Sequence, residues 1–195
     1  YRDREGLITE YPSLEGPFSI VASSGSQIAI ANSTESGPVL EIISLATQFT
    51  ARIDIGDTTD EDVDEFLEDL FEEPVDYSNS TIVDLVMEDD YIVAVVDVGP
   101  VNRTILIDLR TGAQLLLSDP VWPSSSPSIS EGNVAFLQIP RFDPTAEDDD
   151  LLTARDVFLH DIDENRTLQL TIDDEVDQSN PQVLKANVAW IESQE

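Results

Sequence analysis

The chain has 195 residues, with 41 Asp plus Glu against 9 Lys plus Arg, a formal net charge of −32 and no cysteine. A surface this acidic repels nucleic acid and anionic lipid and excludes both as partners, and a chain without cysteine has no disulfide framework. No apolar run approaches the about 18–20 residues of a membrane span, so we expect no membrane insertion. High salt, bound divalent cations and an acidic medium all suit such a surface.

Short strands with alternating apolar residues recur along the chain. Four copies of a small-residue strand are Ile28-Ala29-Ile30, Val93-Ala94-Val95, Val134-Ala135-Phe136 and Val188-Ala189-Trp190. Another short strand precedes each copy, at 18–21, 82–85, 128–130 and 182–184. Three of these preceding strands follow a proline (Pro17, Pro127 and Pro181), which costs no ladder hydrogen bond at the first residue of a strand. The pattern predicts antiparallel meander hairpins.

An outer hairpin follows each of the first three strand pairs. These hairpins are expected at 39–45 with 49–55, at 104–109 with 114–118, and at 156–162 with 167–171. The spacing of 41 residues between Ala94 and Ala135 matches the ~40–45 residues of a four-stranded propeller blade. The sequence therefore predicts an all-β fold, a small beta-propeller of about four blades of antiparallel strands, as a single domain over residues 1–195.

The N-terminal residues 1–12 read as the outer strand of an incomplete blade. Gly6–Pro12 lines up with Leu115–Pro120, and the strand pair at 181–192 has no outer hairpin after it. Such a strand either closes the last blade of its own chain or is donated to a neighbouring subunit by strand addition. The candidate subunit-contact residues are Leu7, Ile8, Thr9, Val188 and Trp190.

Two acidic insertions interrupt the repeats. In residues 57–76, apolar side chains recur at helical spacing, which predicts an acidic amphipathic helix that packs on the propeller rim or docks a partner. Its apolar positions are Val63, Phe66, Leu67, Leu70 and Phe71. The second insertion, 140–153, contains four consecutive acids and is predicted to be an acidic surface loop.

Few residues of the chain could support chemistry. His160 is the only histidine and lies in an alternating strand, so we expect a structural role for it and no enzyme activity. Turn carboxylates at Asp161, Asp163, Asp173 and Asp174 are candidate calcium ligands, because Ca²⁺ prefers hard oxygens, although solvated turn acids are the simpler explanation. No other cofactor is expected.

Four N-x-S/T sequons lie where turns or strand starts are predicted. Their acceptor residues are Asn32, Asn79, Asn102 and Asn165. Because a glycan needs an exposed position, these placements make all four candidate glycosylation sites and indicate an extracellular or cell-surface protein. The alternative is that Asn, Ser and Thr are present as turn residues.

The repeat resembles a known family. DVFLHDIDENRTLQLTIDDEVDQSNPQV followed by NVAWIE resembles the TolB-like beta-propeller repeat, in which a D-I-Y-x-x-D-L-x-T-G hairpin leads to an L-T strand, an acidic loop, a proline and a strand ending in an aromatic. TILIDLRTGAQLLLSDP followed by SPSISEGNVAFL matches the same pattern. The S-P-x-I-S-x-G-x-V-A-F variant is similar to repeats of archaeal cell-surface propellers. The resemblance implies a fold and carries over no catalytic residue.

The sequence leaves three functions open. The first is an extracellular structural protein, a subunit of a surface assembly or filament that self-associates, as a homo-oligomer or homopolymer, by strand donation between propellers. The second is a monomeric propeller that binds a protein, a glycan or calcium. The third is a propeller fragment of a larger surface protein.

Overall fold

A computed structural model describes residues 20–34, 37–47, 49–56, 80–99, 101–139, 154–172 and 176–194. These ranges contain strands and no helix. In chain order the strands are β1 (Ile20–Ser24), β2 (Gln27–Thr34), β3 (Gly37–Ser44), β4 (Phe49–Asp54), β5 (Thr81–Glu88), β6 (Tyr91–Asp97), β7 (Asn102–Asp108), β8 (Gln114–Leu116), β9 (Ser124–Ser130), β10 (Asn133–Gln138), β11 (Asp156–Asp161), β12 (Arg166–Gln169), β13 (Val176–Leu184) and β14 (Asn187–Gln194).

The strands form four antiparallel sheets in chain order. Sheet 1 is β1-β2-β3-β4, sheet 2 is β5-β6-β7-β8, sheet 3 is β9-β10-β11-β12, and sheet 4 has only β13 and β14. Each strand pairs with the next along the chain, which is the up-and-down order of a propeller blade. The all-β prediction and the three outer hairpins are confirmed, because alternating apolar residues and tight turns are local signals.

Consecutive sheets pack face to face through their first strands, β1 on β5, β5 on β9 and β9 on β13. One core lies between sheets 1 and 2 and includes Ala29, Leu40 and Ile92. A second lies between sheets 2 and 3 and includes Val93 and Phe136. Sheet 2 therefore buries both faces, which explains why the interior of β6 is apolar without alternation.

The sequence pattern treats Ala29, Ala94, Ala135 and Ala189 as equivalent positions, and this is wrong for Ala94 in sheet 2. A two-residue turn joins the first two strands of every sheet, and Ala29, Ala135 and Ala189 all lie at the same distance after that turn. Val93 takes this place in sheet 2, while Ala94 lies on the opposite face, in the core shared with sheet 1. Distance from the turn decides which face a side chain occupies, because successive strand residues alternate.

Pro127 and Pro181 also differ from the prediction, since both lie inside strands rather than at their first residues. Each follows a residue in the left-handed region, Ser126 (φ 53°) and Asn180 (φ 49°). Register shifts occur at both places. A bulge leaves a residue outside the hydrogen-bond ladder, so a proline there loses no bond.

Several predictions fall outside the described residues. These are the outer strand within 1–12, the acidic helix at 57–76 and the acidic loop at 140–153. They stay predictions. No helix within the described ranges has the length and apolar character needed to cross a membrane.

Candidate assembly surface

The turns between the first two strands of the four sheets share an uncommon backbone conformation. Their first residues have positive φ angles, at Gly25 (54°), Asp89 (48°), Glu131 (46°) and Lys185 (57°). Glycine adopts this conformation at little cost, whereas the other three residues accept some strain. The repetition shows that one turn geometry is used in every sheet.

One hydrogen bond between neighbouring turns recurs along the series. The donor is the backbone N–H of the first turn residue of one sheet, and the acceptor is the side chain of the last β-residue before the turn in the preceding sheet. The three bonds are Asp89 N to Ser24 Oγ (2.9 Å), Glu131 N to Glu88 Oε2, and Lys185 N to Ser130 Oγ (3.4 Å). These bonds keep the first turn of each sheet aligned with the first turn of the next sheet.

Sheet 4 interrupts this series at Leu184. Leu184 takes the position of the three acceptors, but its side chain has no acceptor atom and is 69% exposed. On the same face of the sheet, Ile191 is 56% exposed. The residues at the position of Ile191 in sheets 1, 2 and 3 are Ala31, Val95 and Leu137, and all three are buried. Sheet 4 thus exposes a face whose counterparts in sheets 1, 2 and 3 are covered.

This uncovered surface, here called the open face, carries one ionisable side chain among the described residues, that of Asp177. Cross-strand pairing assigns to it the side chains of Asp177, Ser179, Gln182, Leu184, Asn187, Ala189, Ile191 and Ser193. In a chain with a net charge of −32, a surface whose one carboxylate is already paired with Arg155 is a place where a partner can approach with little desolvation of carboxylates.

The opposite face of sheet 4 packs on sheet 3. The backbone N–H of Val183 donates to Ser128 Oγ at 3.1 Å, and Val183 is buried. Val188 pairs with Val183, and Trp190 lies on the same side of β14. These two predicted contact residues are half-buried on this covered side, while Leu7, Ile8 and Thr9 lie outside the described residues.

An ion pair also ties sheet 4 to sheet 3. Arg155 Nε donates to Asp177 Oδ1 at 2.9 Å, Arg155 Nη2 contacts the other oxygen, and the Arg155 backbone N–H donates to Oδ1 at 3.1 Å. The guanidinium lowers the pKa of the Asp177 carboxyl below its usual value. Sheet 4 is therefore fixed on sheet 3 by packing, hydrogen bonds and charge.

On the face of sheet 1 that points away from sheet 2, Val21 and Ser23 of β1 are exposed, whereas Val39 and Ile43 of β3, on the same face, are buried. Val21 is 58% exposed. The residues at its position in sheets 2, 3 and 4 are buried against the preceding sheet, and they are Leu85, Pro127 and Pro181. Within the described ranges, no strand of sheet 4 makes an extensive contact with sheet 1.

His160 lies inside the core between sheets 2 and 3, opposite Val134. Its side chain is 3% exposed, and Nδ1 lies 2.9 Å from the Thr167 hydroxyl oxygen. Nε2 is buried and has no hydrogen-bond partner among the described residues. Burial lowers the pKa of the imidazole, although the neighbouring Asp161 carboxylate opposes this in part. The ring is therefore neutral in the folded protein near pH 7.

This burial makes stability depend on pH. An unfolded chain takes up a proton on histidine near pH 6.5, whereas folded His160 does so only at lower pH. We therefore expect the free energy of unfolding to fall as the pH drops below about 6.5 and to stop falling, for this group, at the folded-state pKa. The check is the urea midpoint at pH 7.5 and pH 5.5 for the parent and for His160→Gln. The prediction is wrong if both proteins lose the same stability on acidification.

The candidate calcium ligands are only partly described. Asp161 and Asp163 lie at the turn between β11 and β12, where Asp161 Oδ1 accepts the backbone N–H of Glu164 at 2.9 Å. Asp173 and Asp174 lie outside the described residues. In the part of the chain that the structure describes, no group of three or more His, Cys, Asp or Glu side chains could hold a metal ion. Calcium binding stays a prediction.

The glycosylation candidates differ in accessibility. Asn165 is exposed in a turn with φ 47°, next to β12. Asn32 and Asn102 are half-buried within β2 and β7, and Asn79 lies outside the described ranges. Among the described sequons, Asn165 is therefore the one best placed to carry a glycan.

Comparisons with known proteins identify fold relatives only. No family model matches the sequence, and no curated protein matches it. The chain is similar to the solved structures of TolB from Acinetobacter baumannii (15% identity, TM-score 0.42), of a putative TolB from Agrobacterium tumefaciens (12%, 0.48) and of the tricorn protease (12%, 0.42). The matches cover 81%, 82% and 89% of this chain.

The same matches cover only 33%, 50% and 23% of those proteins, so the chain spans half of their length or less. Solved structures of TolB-like propellers are thus among its structural neighbours, at low identity. The assignment of blade-like sheets depends on the strand order and on the face-to-face packing of consecutive sheets.

Proposed function

We propose that this chain is an extracellular structural protein, a subunit of a surface assembly whose propellers are joined by strand donation. The observation that carries the proposal is sheet 4, which has two strands among the described residues where each other sheet has four. The outer edge of β14 pairs with no other strand among the described residues. An edge of this kind offers unpaired backbone N–H and C=O groups to an incoming strand.

The N-terminal segment is the candidate donor. Its residues 6–12 align with 115–120, and this comparison segment overlaps β8, the outermost strand of sheet 2. Pairing there continues past β8, because the Leu117 N–H donates to Thr104 O at 2.9 Å. A segment that resembles a known edge strand is chemically suited to extend sheet 4 along β14, with Leu7 and Ile8 supplying apolar surface.

The location is supported by the sequons and by the charge. Asn165 is exposed in a turn, as a glycan acceptor must be. The charge of −32 keeps single subunits apart at low ionic strength, and salt screens this repulsion over about 10 Å at 0.1 M. Assembly is therefore expected in a medium that screens or neutralises the carboxylates, whether saline, cation-rich or acidic.

Deletion of residues 1–12 tests the proposal. We expect the parent chain to form multimers in 0.5 M NaCl, as seen by size exclusion and electron microscopy, and the deletion variant to remain a monomer with an unchanged circular dichroism spectrum. The matched control replaces Leu7 and Ile8 by Asp in the full-length chain, which keeps the length but removes the apolar surface, and should also prevent assembly.

Two outcomes contradict the proposal. Multimers that survive the deletion would show that the segment donates no strand between subunits. A parent chain that runs at 21.5 kDa at every concentration would instead favour the monomeric binding module, in which the same segment completes sheet 4 of its own chain.

A further inference from the structure

We propose that the outer edge of β12 binds an extended peptide of a partner protein as an added strand, and that this peptide has apolar residues at alternate positions and basic residues at its ends. The edge belongs to sheet 3, which has a neighbouring sheet on each side. The inference goes beyond the assembly role, because it gives the chain a second kind of partner and does not depend on strand donation to β14.

The first argument is the exposure of this edge. β12 is the outermost strand of sheet 3 and pairs only with β11 among the described strands. All four of its residues are exposed. Pairing continues past its end, because the Leu170 N–H donates to Val157 O at 2.8 Å. The free edge therefore extends at least to Leu170 and offers unpaired backbone N–H and C=O groups to an incoming strand.

The second argument is that this edge lacks the features that protect the outer edges of sheets 1 and 2. In β4, Arg52 and Asp54 form an exposed ion pair at 3.1 Å. β8 has only three residues, and its Gln114 side chain is tied to sheet 1, where Nε2 donates to Asp54 O at 2.8 Å. Residues 167–172 contain no charge and no proline. Charges, proline and short length are the usual means of preventing pairing at an edge.

The third argument is that side chains on the side of β12 that faces sheet 2 already hold the strand in place. Thr167 Oγ1 lies 2.9 Å from His160 Nδ1, and Gln169 Nε2 donates to Asp156 Oδ2 at 2.7 Å. Thr171 Oγ1 donates to the other oxygen of Asp156 at 2.8 Å. A strand that is already ordered loses little conformational entropy when a peptide binds to it.

Leu168 supplies apolar surface beside the edge, and its exposure does not depend on which residues follow sheet 3. Leu168 is 43% exposed. Leu115, which takes the same place in β8, is 40% exposed although the four-stranded sheet 3 packs beside sheet 2. An added strand can therefore place an apolar side chain against Leu168, as cross-strand neighbours do.

Charge decides the composition of the partner. Asp163 and Glu164 are exposed in the turn before β12, and Arg166 is already paired with Glu164 at 3.0 Å. The sequence has three further acids at 173–175. An edge strand from a second copy would bring the same acids to this place, in a chain with a net charge of −32. A peptide with basic ends is attracted instead.

A labelled peptide with the sequence KTVTVTVK, acetylated and amidated at its ends, tests the proposal by fluorescence anisotropy with the full-length chain. Because the Leu170 N–H points to β11, the Gln169 N–H points to the free edge. Gln169→Pro removes this donor, whereas Gln169→Ala, the matched control, removes the same side-chain hydrogen bond and keeps the donor. We expect the proline variant to bind at least about 10-fold more weakly and the alanine variant to bind like the parent.

Amide hydrogen exchange in the parent chain gives a readout that does not require the proline variant to fold. The peptide should slow exchange of the Thr167 and Gln169 amides at least about 10-fold. Protection of β14 in their place would put the added strand on sheet 4 and overturn the inference. No binding of the peptide, or equal weakening by Gln169→Ala and Gln169→Pro, also overturns it.

Two further measurements separate this inference from its alternatives. A peptide with glutamate in place of both lysines should bind at least about 10-fold more weakly, and equal binding would contradict the predicted partner chemistry. The variant that lacks residues 1–12 retains β12 and should bind the lysine peptide like the parent, whether or not it assembles. Loss of binding in that variant would overturn the inference, whereas loss of assembly alone bears only on strand donation.

Discussion

Replacement of Phe136 by alanine is expected to lower the free energy of unfolding by about 3–5 kcal/mol. Phe136 is fully buried in the core between sheets 2 and 3, beside Val93 and Leu106. Its ring stacks on Phe158 with centroids 5.6 Å apart and planes inclined by 21°. Because β10 is an interior strand of sheet 3, the surrounding backbone has little freedom to close the cavity.

Urea unfolding followed by circular dichroism measures this change. Leu168→Ala is the matched control, because Leu168 lies on the outer strand of the same sheet and is largely exposed. We expect it to cost less than about 1 kcal/mol. Equal losses for the two variants would mean that the contact between sheets 2 and 3 contributes little to stability.

The second large effect is expected from Ile191→Asp, which should abolish assembly and leave the monomer folded. Ile191 is exposed on the open face, so the single chain can solvate an aspartate at this position. In a contact between copies, that carboxylate would be buried without a partner, at a cost of several kcal/mol. A penalty of this size weakens association by at least about 100-fold.

Sedimentation velocity across a range of concentrations measures the loss of assembly. Leu168→Asp is the control, since it adds the same charge to an exposed leucine on sheet 3, away from the open face. We expect the control to assemble like the parent. If Ile191→Asp also assembles like the parent, the open face is not a contact between subunits.

The sequence was sufficient for the strands and their order, because these depend on local signals. The hairpin of β7 and β8, for example, closes at Gly112, with φ 74° and an N–H that donates to Asp108 O at 2.7 Å. The face of the sheet on which each side chain lies was harder to predict. The choice of Ala94 as the counterpart of Ala29 failed because both faces of β6 are apolar, so composition cannot distinguish them.

The candidate surface was anticipated only in part. Val188 and Trp190 were expected at a contact, but alternation alone cannot say which side of β14 is already covered by sheet 3. One signal was present in the sequence. The residues immediately before the first turn of each sheet are Ser24, Glu88, Ser130 and Leu184. The exception at Leu184 becomes interpretable only when the hydrogen bonds of the other three are known.

The packing of the sheets in a series affects how the protein unfolds locally. Among the described strands, each sheet makes its extensive contacts with the sheets before and after it in the chain, so cooperativity is expected to run in one dimension, as in solenoid arrays. In the described part of the chain, sheet 4 packs extensively on sheet 3 alone and has two strands, so we expect local unfolding to begin there. Any molecule that occupies its free side converts a terminal unit into an interior one, and resistance to local unfolding then rises with protein concentration by mass action.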